Sequence, residues 1–218
     1  MPLHLVINHD WSTKILIWKI SESYTQLFSE IELNQKSQTR LQSMKSEMHQ
    51  RGFLAVRKLL QEVGYSDFDL VYTTEGKPNL KPNNCHTEPV EVSISHSHDF
   101  ASIIISDKPV GIDLEIQKEK IVKIAPKFMD ICRLENLSHK DQIKKATVIW
   151  GIKEAIFKLK NQKGISFPNH IFENEFQISD HKTKAELRFQ NKIENFEIHF
   201  QEIQNYMLVY AFLENKNK

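Results

Sequence analysis

The run Val110-Gly111-Ile112-Asp113-Leu114-Glu115-Ile116 alternates in character, and that period decides how the middle of the chain is built. In a β-strand, alternate residues share a face. Asp113 and Glu115 therefore point one way, and Ile112, Leu114 and Ile116 the other. Neighbours on one face lie ~7 Å apart at their α-carbons, so two carboxylates there can converge on one cation. Mg²⁺ takes oxygen ligands and often uses one or two carboxylates together with substrate phosphate. The same seven residues also fit an edge strand with a wet acidic face, and by themselves they leave both readings open.

Working outward, Asp107-Lys108-Pro109 has turn chemistry, and before it Val90–Ser95 and Ala101–Ser106 are short β-like runs. Leu3–Ile7, Lys14–Ile20 and Phe68–Thr74 read as further strands, Ser23–Leu33 as a short helix, and Lys81–Glu88 as a polar loop. Leu41, Met44, Met48, Ala55, Leu59 and Val63 mark one face of a long helix that Gly64 can stop. Downstream, Ile121–Met129 and Asp141–Lys160 read as helices. Phe172–Ser179, Lys184–Gln190, Phe196–Glu202 and Tyr206–Leu213 read as strands. Each half thus offers strands and one long helix, which predicts an α+β protein of two similar halves, 1–107 and 108–218. No glycine- or serine-rich linker divides them, so they are expected to act as one unit.

The 218 residues are 40% hydrophobic and 26% charged, ordinary for a folded chain. A formal net charge of +1 gives no case for nucleic-acid binding. Locally, Lys118, Lys120, Lys123 and Lys127 stand against Glu119 alone, either as a solvated helix face or as a patch that meets an acidic partner. Cys85 and Cys132 lack metal-ligand spacing and make a poor disulfide framework. The N-terminus has no signal-peptide pattern, and no apolar run approaches the ~20 residues of a membrane span. The expectation is a soluble cytoplasmic protein.

Three more clusters can carry chemistry. In Trp150-Gly151-Ile152-Lys153-Glu154-Ala155-Ile156-Phe157-Lys158, a helix buries Ile149, Ile152, Ile156 and Leu159 and sets Glu154 and Lys158 together on the other side. That spacing is also common in surface ion pairs, although flanking Trp150 and Phe157 are unusual company for a purely solvent face. Ser93-Ile94-Ser95-His96-Ser97-His98-Asp99 closes a strand with hydroxyls, imidazoles and backbone donors suited to phosphate, or is a polar turn. Adjacent Ser95 and His96 face opposite ways on a strand, which argues against a hydrolytic triad. Gly76-Lys77-Pro78 is a stiffened turn that fixes where one lysine points.

In this order and spacing, Gly76-Lys77-Pro78, Ile94-Ser95-His96-Ser97, Val110-Gly111-Ile112-Asp113-Leu114-Glu115 and Trp150-x-x-Lys153-Glu154-Ala155-x-x-Lys158 resemble the 4′-phosphopantetheinyl transferases of the surfactin-synthetase-activating type. Lys163-Gly164-Ile165-Ser166-Phe167 is similar to the segment that ends the family's signature helix. The resemblance spans residues 40 to 167. It implies a pseudo-dimer of two α+β halves, each a small antiparallel sheet packed on a long helix, with coenzyme A in the cleft between them. It implies transfer of the 4′-phosphopantetheine arm of coenzyme A to a serine of an apo acyl or peptidyl carrier protein, with release of adenosine 3′,5′-bisphosphate, by a monomer. Asp113, Glu115 and Glu154 would hold Mg²⁺. Lys158 would steady phosphate charge, with Glu154 serving the serine as base. Lys77, Ser95 and His96 would contact coenzyme A, chiefly at its 3′-phosphate end. An upstream arginine would join them, with Arg40 preferred over Arg51 or Arg57. Asn161-Gln162 stands where many relatives carry a glycine. The rival reading is a non-catalytic protein that binds coenzyme A or a carrier; such a binder would not need Asp113, Glu115, Glu154 and Lys158 together.

Overall fold

A computed structural model describes residues 3–84 and 87–214. The chain divides into two compact units, Met1–Lys108 and Pro109–Lys218. Both mix helices with antiparallel sheets, as an α+β protein should. Cys85 lies outside the described residues; Cys132 is a free, exposed thiol. No described helix is long and apolar enough to cross a membrane.

In the first unit, β1 (Leu3–Asn8) and β2 (Lys14–Lys19) form a hairpin. Asp10 shapes its turn by accepting from the backbone N–H groups of Ser12 and Thr13 at 2.9 and 2.7 Å. Two short helices follow, α1 (Tyr24–Ser29) and α2 (Gln35–Ser43), then the longer α3 (Glu47–Gln61). The single helix expected from Leu41 to Val63 is therefore two. Gln50 Nε2 donates to the carbonyls of Leu41 and Met44 at 3.3 and 3.2 Å, bracing the bend where α2 ends. A small hairpin, β3 (Leu70–Tyr72) with β4 (Pro78–Leu80), is closed by a turn in which Gly76 has φ +88°. The last strands, β5 (Glu91–Ser97) and β6 (Phe100–Ser106), complete a sheet ordered β1-β2-β6-β5. Helix α3 contributes Phe53, Leu54, Val56, Leu59 and Leu60 to a core shared with Leu16, Trp18, Val92, Ala101 and Ile103 of the sheet.

The second unit begins with β7 (Val110–Ile116), the run that opened the sequence reading. The helix expected over Ile121–Met129 is only α4 (Lys120–Ile124), followed by a 3₁₀ turn over Ala125–Lys127 that contains Pro126. Lys120 and Lys123 thus share a helix, while Lys127 sits beyond its end. Helix α5 (His139–Lys160) is capped by Ser138, whose side chain accepts from the Asp141 N–H. A four-residue turn of helix, α6 (Phe167–His170), leads into β8 (Ile171–Glu173), far shorter than the strand expected to Ser179. Strands β9 (Lys182–Phe189), β10 (Lys192–Ile203) and β11 (Tyr206–Leu213) complete a five-stranded sheet ordered β7-β11-β10-β9-β8. Ile149, Ile152, Ile156 and Leu159 of α5 are buried against it, as their spacing predicts.

Candidate active site

Strand β7 is an edge strand, but Asp113 on its acidic face is not wet. Asp113 is only 3% exposed, because α5 lies directly over it. Two glycines permit that approach. A Cβ on Gly111 would stand 1.9 Å from the carbonyl oxygen of Ala155. A Cβ on Gly151 would stand 2.5 Å from Val209 on β11 and 3.7 Å from Oδ2 of Asp113. With the helix so seated, Lys158 reaches β7: its Nζ donates to Oδ1 of Asp113 at 2.8 Å and to the carbonyl of Ile112 at 3.0 Å.

Glu154, one turn before Lys158, shares this environment. Burial pushes its carboxyl above the ordinary glutamate range, the charge of Asp113 pushes the same way, and Lys158 opposes both. Two carboxylates and one ammonium are thus drawn together from one strand and one helix. Glu115 lies two residues along β7 on the same face as Asp113 and is half-buried. Among the described residues, no three His, Cys, Asp or Glu side chains are grouped as a metal site. The excess negative charge of Asp113 and Glu154 nonetheless suits a hard divalent cation that keeps waters and takes its remaining oxygens from substrate. Trp150 and Phe157 owe their place to packing. Trp150 meets Phe128 and Phe167 edge-on at 5.1 and 5.6 Å, and Phe157 meets Phe167 at 5.9 Å.

Asn161 ends α5 in the left-handed conformation (φ 47°, ψ 42°), its N–H donating to the Phe157 carbonyl at 2.7 Å. Asparagine tolerates this conformation better than most residues, so it does the work of a C-terminal glycine.

The candidate binding groups of the first unit are spread over separate elements. His96 is exposed on β5, and neighbouring Ser95 is buried on the opposite face. The His96 ring lies against α3, where a Cβ on Gly52 would come within 2.9 Å of it, and 6.3 Å from the ring of His49. Lys77 sits in the β3–β4 turn and pairs with Glu91 at 2.9 Å. Glu91 is five residues from His96 along β5, about 16 Å of strand. The structure does not bring Lys77 and His96 together.

The three candidate arginines separate clearly. Arg51 donates to the backbone carbonyls of Glu22 and Ile20 at 2.8 and 3.0 Å. Arg57 is buried and paired with Asp67 at 2.8 Å, its guanidinium lying over the Phe53 ring. Arg40 is exposed, its guanidinium near the rings of Phe53 and Tyr72 at 5.7 and 5.4 Å.

Sequence reasoning missed the partners of Lys153. Its Nζ, next to Glu154 in sequence, donates to the carboxylate of Glu173 at 2.6 Å and to the carbonyl of Ile171. The only signal was Lys153 itself, a lysine beside the apolar stripe of α5. Its acidic partner is 20 residues away, at the end of the short strand β8.

Residues 109–211 match the sequence profile of the 4′-phosphopantetheinyl transferase superfamily. The chain is similar to the 4′-phosphopantetheinyl transferase gsp of Aneurinibacillus migulanus, with 32% identity over 158 residues, 70% of this chain and 62% of that protein. It is also similar to the 4′-phosphopantetheinyl transferase psf-1 of Bacillus pumilus, with 29% identity over 120 residues, 53% of this chain and 50% of that protein. The chain thus spans less than two thirds of the length of either relative. The segment from Pro109 to Ala211, which holds Asp113, Glu115, Glu154 and Lys158, carries the pattern of the 4′-phosphopantetheinyl transferase superfamily, the resemblance that the motifs had already suggested.

Proposed function

We propose that the protein transfers the 4′-phosphopantetheine arm of coenzyme A to a serine hydroxyl of an apo acyl or peptidyl carrier protein. The observation that carries this reading is the joining of Asp113 on β7 with Glu154 and Lys158 on α5, inside the segment that matches the superfamily. In the reaction, the serine oxygen forms a bond to the β-phosphorus of coenzyme A. The pyrophosphate P–O bond breaks, and adenosine 3′,5′-bisphosphate leaves. Transfer of this type depends on positioning and on neutralising charge more than on covalent help.

Asp113 and Glu154, with Glu115 on the same strand face, would hold Mg²⁺. When bound, the ion would supply positive charge to the pyrophosphate oxygens. Lys158 is tied to Asp113 here and adds a second cation on a flexible stem that can turn to a phosphate oxygen. Glu154 takes the serine proton, directly or through water. Burial of Asp113 under α5 limits the screening of its charge by water.

Arg40, Lys77, Ser95 and His96 would bind coenzyme A, Ser95 through its backbone since its side chain is buried. The two units share a plan in which the strand before the long helix pairs with the last strand, as β2-β6-β5 and β7-β11-β10. This supports a pseudo-dimer within a single cytoplasmic chain. Incubation with coenzyme A, Mg²⁺ and an apo carrier, followed by weighing the carrier, tests the proposal. We expect a gain of one phosphopantetheine group that disappears when the carrier's serine is replaced by alanine. An unchanged carrier mass at saturating coenzyme A would refute it.

A further inference from the structure

Lys153 belongs to the signature helix, yet it points away from the candidate site. Its side chain is 3% exposed and that of its partner Glu173 4% exposed, one of the most deeply buried ion pairs among the described residues. Arg133 braces the pair from behind, lying 3.4 Å from the Glu173 carboxylate and donating to the Glu173 carbonyl at 2.9 Å. Burying two charges costs several times what a surface pair costs, and well-packed apolar residues would stabilise the unit as well or better. Stability alone therefore does not account for the pair. Its place in the sheet suggests what does.

Helix α5 touches both edges of the five-stranded sheet: β7 at one edge and β8 at the other. Lys158 is tied to β7 through Asp113 and Ile112. Lys153 is tied to β8 through Ile171 and Glu173. Five residues apart, the two side chains leave the helix about 140° apart around its axis. Two tethers leaving a cylinder in such different directions, each to an opposite edge of one sheet, fix its rotation. The intervening apolar contacts choose the buried face, and the tethers add directional restraint within it.

We infer that Lys153, with Glu173 and Arg133, is a positioning group: a rotational lock on α5 that holds Glu154 and Lys158 in register with Asp113. This deepens the transferase reading and rests on it for its effect on rate, while the lock itself is a property of the fold.

The single variant Lys153→Met would leave Glu173 charged and buried, and loss of folding would then be uninformative. The double variant Lys153→Met with Glu173→Leu removes both charges together. We expect it to stay folded and to lose about 10–100-fold in kcat, the scale of a misplacement near 1 Å. Its KM for coenzyme A is expected to be unchanged. A merely structural pair would leave kcat at the wild-type value once the variant is folded, and that result would overturn the inference. A second measurement does not depend on activity. Urea midpoints of the double variant, of Lys158→Met and of the triple variant form a cycle; locks on one helix should be non-additive, whereas independent sites add. Additive midpoints would overturn the lock. A wild-type chain that leaves the carrier unmodified would refute the transferase reading alone, and the cycle would still decide the lock.

Discussion

The two units seat their long helices differently. In Met1–Lys108, α3 meets its sheet through apolar side chains, and its one buried charge, Arg57, turns aside to Asp67 in a loop. In Pro109–Lys218, α5 meets its sheet through apolar side chains and through charged ones as well, Lys158 to Asp113 and Lys153 to Glu173. Charges between a helix and a sheet are expensive to desolvate, and where they persist they point to chemistry or to register. The first unit keeps its candidate cations, Arg40 and Lys77, and the imidazole of His96 on separate elements, which suits holding a large ligand at several points. On the proposed function, chemistry falls to the second unit and binding to the first.

The strongest way to break that assignment is Glu154→Gln. It keeps the shape and removes the charge, so turnover should fall by ~10²–10⁴, the usual share of a general base. Coenzyme A binding, placed in the other unit, should hold. Stability should not fall. A glutamate whose folded pKa is raised contributes stability below its unfolded value and loses it as pH rises through the folded one. Once pH passes the folded value the charged form is therefore a burden, and there the variant should melt at or above the wild-type temperature. A less stable variant with normal turnover would invert the reading of α5.

The next contrast lies among the arginines of the first unit. Arg57→Ala strands a buried Asp67 charge and should cost ~3–5 kcal/mol in urea unfolding. Arg40→Ala should change stability by no more than ~0.5 kcal/mol. It should nevertheless weaken coenzyme A binding by ~1.5–3 kcal/mol in calorimetry, the value of a charge-assisted hydrogen bond. If affinity is untouched, Arg40 has no part in the site.

Much of this was legible beforehand. The stripe Ile149, Ile152, Ile156 and Leu159 revealed α5, and alternation revealed β7, because both signals are local and periodic. The bend after Ser43 was not legible: Leu41, Met44 and Met48 keep helical spacing across it, and no proline or glycine marks the break. The fate of the arginines was hidden too, since Arg57 finds Asp67 ten residues away and Arg51 finds carbonyls some thirty residues back. Asp113, Glu154 and Lys158 could be named from sequence. That Lys158 and Asp113 pair depends on Gly111 and Gly151 letting helix and strand close together, a tertiary fact that each glycine only hints at.

A smaller effect separates Lys77 from His96. Removing the 3′-phosphate of coenzyme A should cost ~1.5–3 kcal/mol of binding. Because Lys77 is tied to Glu91, well along β5 from His96, the two variants should differ. His96→Ala should abolish the preference for coenzyme A over its 3′-dephospho form. Lys77→Ala should weaken both forms alike. Calorimetry in which Lys77→Ala alone erases the preference would exchange the two roles.

The smallest effect concerns the carrier and an exposed cationic patch of the second unit. Lys120 and Lys123, three residues apart on α4, are exposed, as are Lys118 before them and Lys127 in the turn beyond. Carrier proteins of this kind are generally acidic around the modified serine, as the family resemblance implies, so opposite charges would meet as the partners approach. Exposed charges steer encounter more than they hold a complex, and they are screened over ~8 Å at physiological salt. Lys120→Glu with Lys123→Glu should therefore raise the KM for the carrier several-fold at low salt, with coenzyme A affinity unchanged. The defect should shrink as salt rises, which a misfolded or repacked helix would not do. Neither lysine is buried, so the melting temperature should stay near that of the wild type. An unchanged carrier KM at low salt would mean that α4 is a solvated face and that the carrier docks elsewhere.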